Sequence, residues 1–212
     1  EWAKHSTADW CVASLRKSLP IALGGMLWSP KRHTLPQPIE VTNEVVKLAD
    51  KRYEAMLLKT AYLNKQFHQK DVFRNLYIET EQQIETLQVS GLDNRSIEII
   101  THLNIETWMN IKIENWEIAH RLLTTYAIRH IENANSPFSI LLKCTSNEER
   151  ELLRKHLIQR HIYPAILWTM PEDSPFDEAK VYADTMLSVH CDARYDSDNI
   201  VHICKQIIGF YD

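Results

Sequence analysis

Glycine is scarce in this chain, with four residues among 212, and two of the four are adjacent at Gly24 and Gly25. Adjacent glycines allow positive φ angles or the close approach of another backbone or a ligand. The pair follows the segment ASLRKSLPI at residues 13–21, in which Ser14 precedes Lys17 by three positions. This combination predicts a tight turn that places Lys17 beside whatever approaches the glycines.

Two interpretations of Lys17 are open on the residue alone. Most lysines are solvated surface charges, and a lysine beside an arginine is commonly a basic spot on a loop. A desolvated lysine amine instead loses proton affinity and attacks carbonyl groups, and the neighbouring charge of Arg16 acts in the same direction. Ser14 is then placed to donate a hydrogen bond to a phosphate. The second interpretation makes Lys17 a candidate Schiff-base lysine.

The residues around Lys17 also resemble a known protein family. The stretch ADWCVASLRKSLPIALGGMLWS, residues 8–29, is similar to the lysine region of the fold-type I pyridoxal-phosphate enzymes, and within them to the sugar-aminotransferase-like group. Two later stretches resemble the same family in the same order, HIYPAILW at residues 161–168 and ADTMLSVHCDARY at residues 183–195. His190 departs from the family pattern, which often has proline there.

The resemblance implies an aminotransferase that moves an amino group between an amino-acid donor and a keto or keto-sugar acceptor. It implies that Lys17 holds pyridoxal 5'-phosphate as a Schiff base and that Ser14 contacts the cofactor phosphate. It also implies that Arg194 grips the carboxylate of the amino donor, since an arginine fork suits that group. The structural alternative for Arg194 is an ion pair with a flanking acid, Asp192 or Asp196. The family further implies a homodimer.

Two functions of other classes compete with this interpretation. A catalytically silent homologue, acting as a binding or regulatory partner, would keep the fold and lose the cofactor. A hydrolase with a Ser14–Lys17 pair is the other, since Ser-x-x-Lys also marks penicillin-binding enzymes. That class needs companion motifs, and the sequence contains no Lys-Thr-Gly.

Charge and residue spacing exclude several other classes. The formal net charge is −4 with acids and bases interspersed, which predicts no nucleic-acid partner. The ten histidines and four cysteines lack metal-ligand spacing, so we expect no metal site, and the cysteines lie in apolar runs typical of reduced core thiols. No apolar run has membrane-spanning length and no secretory signal is recognisable. We therefore expect a cytoplasmic protein without a membrane partner.

The family's phosphate loop, ring-stacking aromatic residue and pyridinium-binding aspartate all precede its lysine. Only sixteen residues precede Lys17 here. We therefore expect the C-terminal part of a longer enzyme with a pyridoxal-phosphate-dependent transferase fold of the α/β class. Residues 1–104 would be the remnant of the large domain and residues 105–132 a connecting helix. Residues 133–212 would form a small α/β domain, a short sheet backed by helices.

Local patterns predict the elements of this arrangement. Short apolar runs at 10–13 and 26–28 predict buried strands, and Thr42 is a helix N-cap for the periodic segment that follows it. Further helices are predicted from about residue 71 to Gly91 and over 105–131, then a break at 133–137. The rest predicts strands at 138–144, 163–168 and 187–190 and helices at 149–159, 177–186 and 197–210.

Overall fold

The computed structural model describes residues 5–131, 137–167 and 169–212. It divides into two compact units, and the division falls between Leu103 and Asn104. The described residues form a mixed helix-and-strand structure with two small antiparallel sheets, one in each unit. Residues 133–136 of the predicted break, and Trp168 at the end of a predicted strand, lie outside the described residues.

The first unit contains a hairpin followed by three helices. Its elements are β1 (Cys11–Ser14), a 3₁₀ turn (Leu15–Lys17), β2 (Gly25–Trp28), α1 (Asn43–Leu63), α2 (Lys70–Thr86) and α3 (Asn94–His102). The two strands pair antiparallel, with Val12 opposite Leu27 and Ser14 opposite Gly25. The prediction of two strands flanking Lys17 is therefore confirmed.

The prediction that these two strands are buried was wrong. Val12 is 74% exposed and Met26 47% exposed, while Cys11 alone among the strand residues is buried. A two-stranded hairpin has one neighbour per strand, and among the described residues no third strand pairs with either one. The apolar composition of the strands thus does not translate into burial within this unit.

Helix α1 begins where the sequence predicts, because the Thr42 hydroxyl accepts a hydrogen bond from the Val45 amide at 3.3 Å. Its buried apolar face recurs at helical spacing and packs with the segment before β2. The core of this unit consists of Ala22, Leu23, Val45, Leu48, Ala49 and Tyr53. Residues just beyond the Lys17 turn are therefore anchored in the helical core.

Helix α2 ends at Thr86, and the predicted end near Gly91 was wrong. Gly91 instead lies against the backbone of residues 39–41, where its amide donates to the Glu40 carbonyl at 3.2 Å. A Cβ at this position would lie 2.3 Å from the Ile39 carbonyl oxygen. Glycine at position 91 therefore allows the two backbone segments to lie close together.

Helix α3 was not predicted from the sequence. Asp93 caps this helix, because its side chain accepts a hydrogen bond from the Ser96 amide at 2.9 Å.

The second unit alternates helices and strands. Its elements are α4 (Ile105–Thr125), β3 (Ser139–Lys143), α5 (Asn147–Gln159), α6 (Asp177–Thr185), β4 (Met186–His190) and α7 (Ser197–Tyr211). Helix α4 packs against α7 within this unit and contributes Trp116, Ala119 and Leu123 to its core. It ends before the predicted residue 131, because Ala127 adopts a left-handed φ of 54° and the Ile128 amide closes onto the Leu123 carbonyl.

Strands β3 and β4 pair antiparallel, with Ile140 opposite Val189 and Leu142 opposite Leu187. The strand predicted at 163–168 is reduced, over its described residues, to one bridge in which Ala165 and Ser188 exchange hydrogen bonds of 2.8 and 2.9 Å. Proline at position 164 has no amide hydrogen to extend that pairing. Helices α4 and α5 pack on this sheet, and Cys144, Cys191 and Cys204 are buried free thiols.

Candidate functional site

The 3₁₀ turn that carries Lys17 is closed by the first glycine of the pair. The Gly24 carbonyl accepts from the Leu15 amide at 3.0 Å and from the Arg16 amide at 3.5 Å. Gly24 has φ 140°, which side-chain-bearing residues rarely adopt, and a Cβ there would lie 2.9 Å from Ile21 Cδ1. Glycine is therefore required at position 24 for the backbone to return over the turn.

Ser14 and Lys17 occupy the two ends of this turn. Ser14 is its N-cap residue, and its hydroxyl makes no capping hydrogen bond. Both residues are exposed, and among the described residues no ion pair or side-chain hydrogen bond involves either of them. One hydroxyl donor and one amine are thus presented on the same short turn. A Schiff-base lysine is activated by removal from water. Lys17 is exposed, so the described residues do not provide that burial.

Arg16, the neighbour of Lys17, is held by a helix far away in sequence. Its Nη2 lies 2.6 Å from Glu81 Oε1 on α2. The second oxygen of Glu81, Oε2, lies 3.0 Å from Nη1 of Arg52 on α1. Partial burial by itself raises the pKa of Glu81, but the hydrogen bond and charge of Arg16, and then of Arg52, hold that pKa below its ordinary value. Glu81 is therefore an ionised bridge between two guanidinium groups.

The functional groups of Lys17 and Ser14 are of the kinds that bind a phosphorylated aldehyde such as pyridoxal phosphate. A primary amine is available to the carbonyl, and a serine hydroxyl on the same turn is available to phosphate. Arg16, Glu81 and Arg52 together carry a surplus of one positive charge, and Arg16 is the sequence neighbour of Lys17. Such a surplus favours an anionic ligand.

Arg194 lies in the second unit, on the turn between β4 and α7. Its Nε and Nη2 each lie 2.7 Å from one oxygen of Asp192, in a two-bond ion pair. The Asp192 side chain is 7% exposed and that of Arg194 is 54% exposed. Burial by itself raises the pKa of Asp192, but the hydrogen bonds and charge of Arg194 outweigh burial and lower it. The structural alternative foreseen for Arg194, an ion pair with Asp192, is thus present.

Asn115 of α4 holds the turn that bears this pair, and Lys112 on the same helix interacts with Asp192 through its charge. Both are buried. Asn115 Nδ2 donates to the carbonyls of Cys191, Asp192 and Tyr195 at 3.3, 3.3 and 2.8 Å. Burial lowers the pKa of Lys112, and the charge of Asp192 opposes that shift. Sequence analysis missed both residues, although polar side chains amid the apolar positions of α4 were a signal for buried contacts.

The predicted site residues therefore form two groups. Ser14 and Lys17 come together on one turn of the first unit, while Arg194 belongs to the second unit. Sequence analysis also missed Glu81 and Arg52, which contact the neighbour of Lys17. A groove of about 500 Å³ between α1 and α2, lined by Glu44, Lys51, Thr86 and their neighbours, does not include Lys17.

Other features of the structure bear on the competing functions. Ser-Asp-Asn is a second companion motif of the Ser-x-x-Lys hydrolases, and the chain has this triplet at residues 197–199. The triplet forms the first turn of α7, which Asp196 caps by accepting from the Asn199 amide. Within the described ranges, no three His, Cys, Asp or Glu side chains are grouped to hold a metal ion. None of the helices described here has both the length and the hydropathy needed to cross a bilayer.

The Lys17 turn is the part of the described structure that bears most directly on function. The sequence matches no protein-family model, and a comparison with curated proteins gives no match either.

Proposed function

We propose that this chain is part of a fold-type I, pyridoxal-phosphate-dependent aminotransferase and that Lys17 holds the cofactor. The observation that carries the proposal is the 3₁₀ turn itself. It places the Ser14 hydroxyl and the Lys17 amine at its two ends, and the Gly24 carbonyl closes it. The sequence motif that resembles the family's lysine region thus folds into one compact, exposed turn.

The roles of the residues follow from their chemistry. Pyridoxal phosphate, when bound, supplies an aldehyde for a lysine amine and an electron-withdrawing ring. Lys17 would hold the group and, once its amine is free, would take a proton from the α carbon of the amino donor and deliver it to the former aldehyde carbon of the cofactor. Ser14 donates its hydroxyl hydrogen to the phosphate, and the charges of Arg16 and Arg52 attract that anion.

Arg194 is the proposed residue for the carboxylate of the amino donor. Its Nε and Nη2 edge can grip a substrate carboxylate only after leaving Asp192, because both nitrogens already donate to that side chain. Substrate recognition by this edge therefore includes an exchange of one carboxylate for another. The substrates implied are small, an amino acid and a keto acid or keto sugar, and the enzyme implied is a cytoplasmic homodimer.

The test is to mix the purified protein with one equivalent of pyridoxal phosphate, reduce it with borohydride, and map the modified peptide by mass spectrometry. We expect the adduct on Lys17. Lys17→Arg keeps the charge without a condensing amine and should remove the adduct, whereas Lys31→Arg, on the loop after β2 and paired with Asp9 at 2.9 Å, should retain it.

Because exposed lysines also react with aldehydes, selectivity decides the outcome. An adduct concentrated on Lys17 supports the proposal. Adducts spread over several lysines, or none from a folded protein, would instead favour the catalytically silent homologue that binds a partner.

A further inference from the structure

We propose that Glu81 is a positioning residue for Lys17, fixing the reactive turn on helix α2 through Arg16. The effect on the chemistry of Lys17 rests on the proposed function, whereas the effect on the turn does not. Arg16 Nη2 and Glu81 Oε1 are 2.6 Å apart, although the residues are 65 positions apart in sequence. This contact ties the side chain next to Lys17 to a helix of the core.

The turn depends on this contact because it is short. Its three residues close on themselves through the Ser18 and Leu19 amides, which donate to the Leu15 carbonyl at 3.0 and 2.9 Å. A 3₁₀ turn of this length has little stability of its own. On its C-terminal side it is anchored by Ile21, Ala22 and Leu23, which are buried. On the side of Lys17 itself, the side-chain anchor is Arg16.

Glu81 is in turn held from inside the unit. Arg52, whose side chain is 10% exposed, donates from Nη1 to Glu81 Oε2 at 3.0 Å and to the Thr80 hydroxyl at 3.1 Å. Thr80 is fully buried, and its hydroxyl donates to the Leu76 carbonyl at 2.7 Å. The sequence of contacts from Thr80 through Arg52 and Glu81 to Arg16 links a buried part of the helix pair to the exposed turn.

The bridge also sets the charge next to Lys17. An ionised Glu81 compensates one of the two guanidinium charges and keeps the Arg16 guanidinium on α2, where Arg16 acts on an anionic ligand through its charge and not by direct contact. Loss of the carboxylate would release Arg16, whose flexible side chain could then compete with Lys17 and Ser14 for the ligand. Glu81 thus acts through Arg16 and is not itself a catalytic residue.

Helix α2 offers a matched control for the test. Glu79 lies two residues before Glu81, has a side chain 49% exposed against 48% for Glu81, and forms an ion pair of the same length, 2.6 Å, with Lys51. Glu79→Gln therefore removes a surface carboxylate of similar exposure that pairs with one cation, Lys51, and not with the Lys17 turn. Glu81→Gln removes the charge at nearly constant shape.

Two measurements on the purified protein separate the role of Glu81 from the cofactor chemistry. The first is hydrogen exchange at the Leu15 and Arg16 amides, which donate to Gly24. We expect Glu81→Gln to speed this exchange about two- to fivefold, as befits a partly exposed ion pair, with Glu79→Gln unchanged. The second is the visible absorbance and borohydride-fixed yield at Lys17 with one equivalent of pyridoxal phosphate, which we expect to fall only in Glu81→Gln.

Further variants keep the result interpretable if Glu81→Gln unfolds. Arg16→Gln breaks the same contact from the exposed end, and the double variant should exchange no faster than Glu81→Gln alone, since that substitution already removes the contact with Arg16. Restored labelling in Glu81→Asp, which keeps the charge, would support the positioning role. Core amides of α1 serve as the reference for global opening.

The two proposals fail in different ways. Equal exchange and equal labelling in the Glu81 and Glu79 variants overturn the positioning role. Faster exchange in the Glu81 variant, without any adduct on wild-type Lys17, supports the positioning of the turn and overturns the aminotransferase proposal. Additive effects of the Arg16 and Glu81 variants would also overturn the positioning role.

Discussion

Asn115 and Tyr195, 80 residues apart, are joined by a hydrogen bond of 2.8 Å from the Asn115 Nδ2 to the Tyr195 carbonyl. The same amide nitrogen also lies within 3.3 Å of the carbonyls of Cys191 and Asp192. One buried side chain on α4 thus organises the whole turn that presents Arg194.

Asn115→Ala should destabilise the second unit by about 1–3 kcal/mol, because buried carbonyls would lose their donor. Denaturant dependence of amide exchange in β4 measures this loss. Asn147→Ala is the control, since Asn147 makes one exposed bond of 3.3 Å to the Asp184 carbonyl and its loss should change little. Equal effects of the two substitutions would contradict the organising role of Asn115.

The Asp192–Arg194 pair should make the second unit sensitive to acid. Burial alone would raise the pKa of Asp192, but Arg194 holds the folded-state pKa of this carboxyl group below its ordinary value of 3.8. A lowered folded-state pKa means that the pair stabilises the fold fully above pH 3.8 and that this contribution is lost as the pH falls through the lowered pKa. We expect Asp192→Asn to be less stable than wild type at neutral pH.

The stability gap between wild type and Asp192→Asn should then close below pH 3.8. Urea unfolding of both proteins, followed through β4 exchange across an acid titration, measures the gap. A gap that stays constant over the whole range would mean that Asp192 titrates alike in the folded and unfolded chains.

Gly91→Ala should destabilise the first unit by about 1–3 kcal/mol, because overpacking against backbone cannot relax easily. The new Cβ would lie 2.3 Å from the Ile39 carbonyl oxygen and 3.0 Å from the Val41 amide nitrogen. Gly25→Ala is the control in the same unit, since its nearest contact is an ordinary 3.5 Å to the Ala13 carbonyl. Thermal unfolding of both variants gives the comparison, and a stable Gly91→Ala would refute the close approach.

Gly209→Ala should stabilise the protein, in contrast to Gly91→Ala. Gly209 lies within α7, and a Cβ there would meet nothing within 4 Å. Alanine has a higher helix propensity than glycine, so we expect a gain of about 0.5–1 kcal/mol. Thermal unfolding of the second unit measures it, and a loss of stability would show that the position is more crowded than the structure indicates.

Three cysteines of the second unit should resist alkylation in the folded protein. Burial raises the pKa of Cys144 to about 11 and those of Cys191 and Cys204 to about 12. Because the thiolate is the reactive form, only a very small fraction of each is reactive at neutral pH. A thiol reagent should modify them only after denaturant is added, and modification of any of the three in native buffer would contradict their burial.

Local signals predicted much of the fold from the sequence. Thr42, Ser146 and Asp196 each begin a helix by accepting a hydrogen bond from an amide three residues on. Such caps depend on neighbouring residues alone, so they can be recognised in sequence. The end of α2 could not be predicted in this way. Gly91 marks a contact with the backbone of residues 39–41, which no local pattern reveals, and not the end of the helix.

The candidate site also has one part that the sequence predicted and one part that it did not. Lys17 was predicted on a turn between two strands, and it is the last residue of such a turn, which Ser14 precedes at the end of β1. Glu81 could not be distinguished from Glu79 in sequence, since both are glutamates on one helix with similar exposure. Their partners, Arg16 and Lys51, are selected by tertiary packing. Pairing between distant charged residues is therefore the part that sequence reasoning could not supply.

Strand β4 is hydrogen-bonded along one edge to β3 and, at Ser188, along the other edge to Ala165. Its first four residues, Met-Leu-Ser-Val, are all buried. A short apolar strand with open edges is a template for intermolecular association. In the native state β3 covers one edge of this segment and Ala165 occupies the other edge at Ser188. Any aggregation that the segment promotes should therefore follow the unfolding of the second unit rather than the concentration of the folded protein.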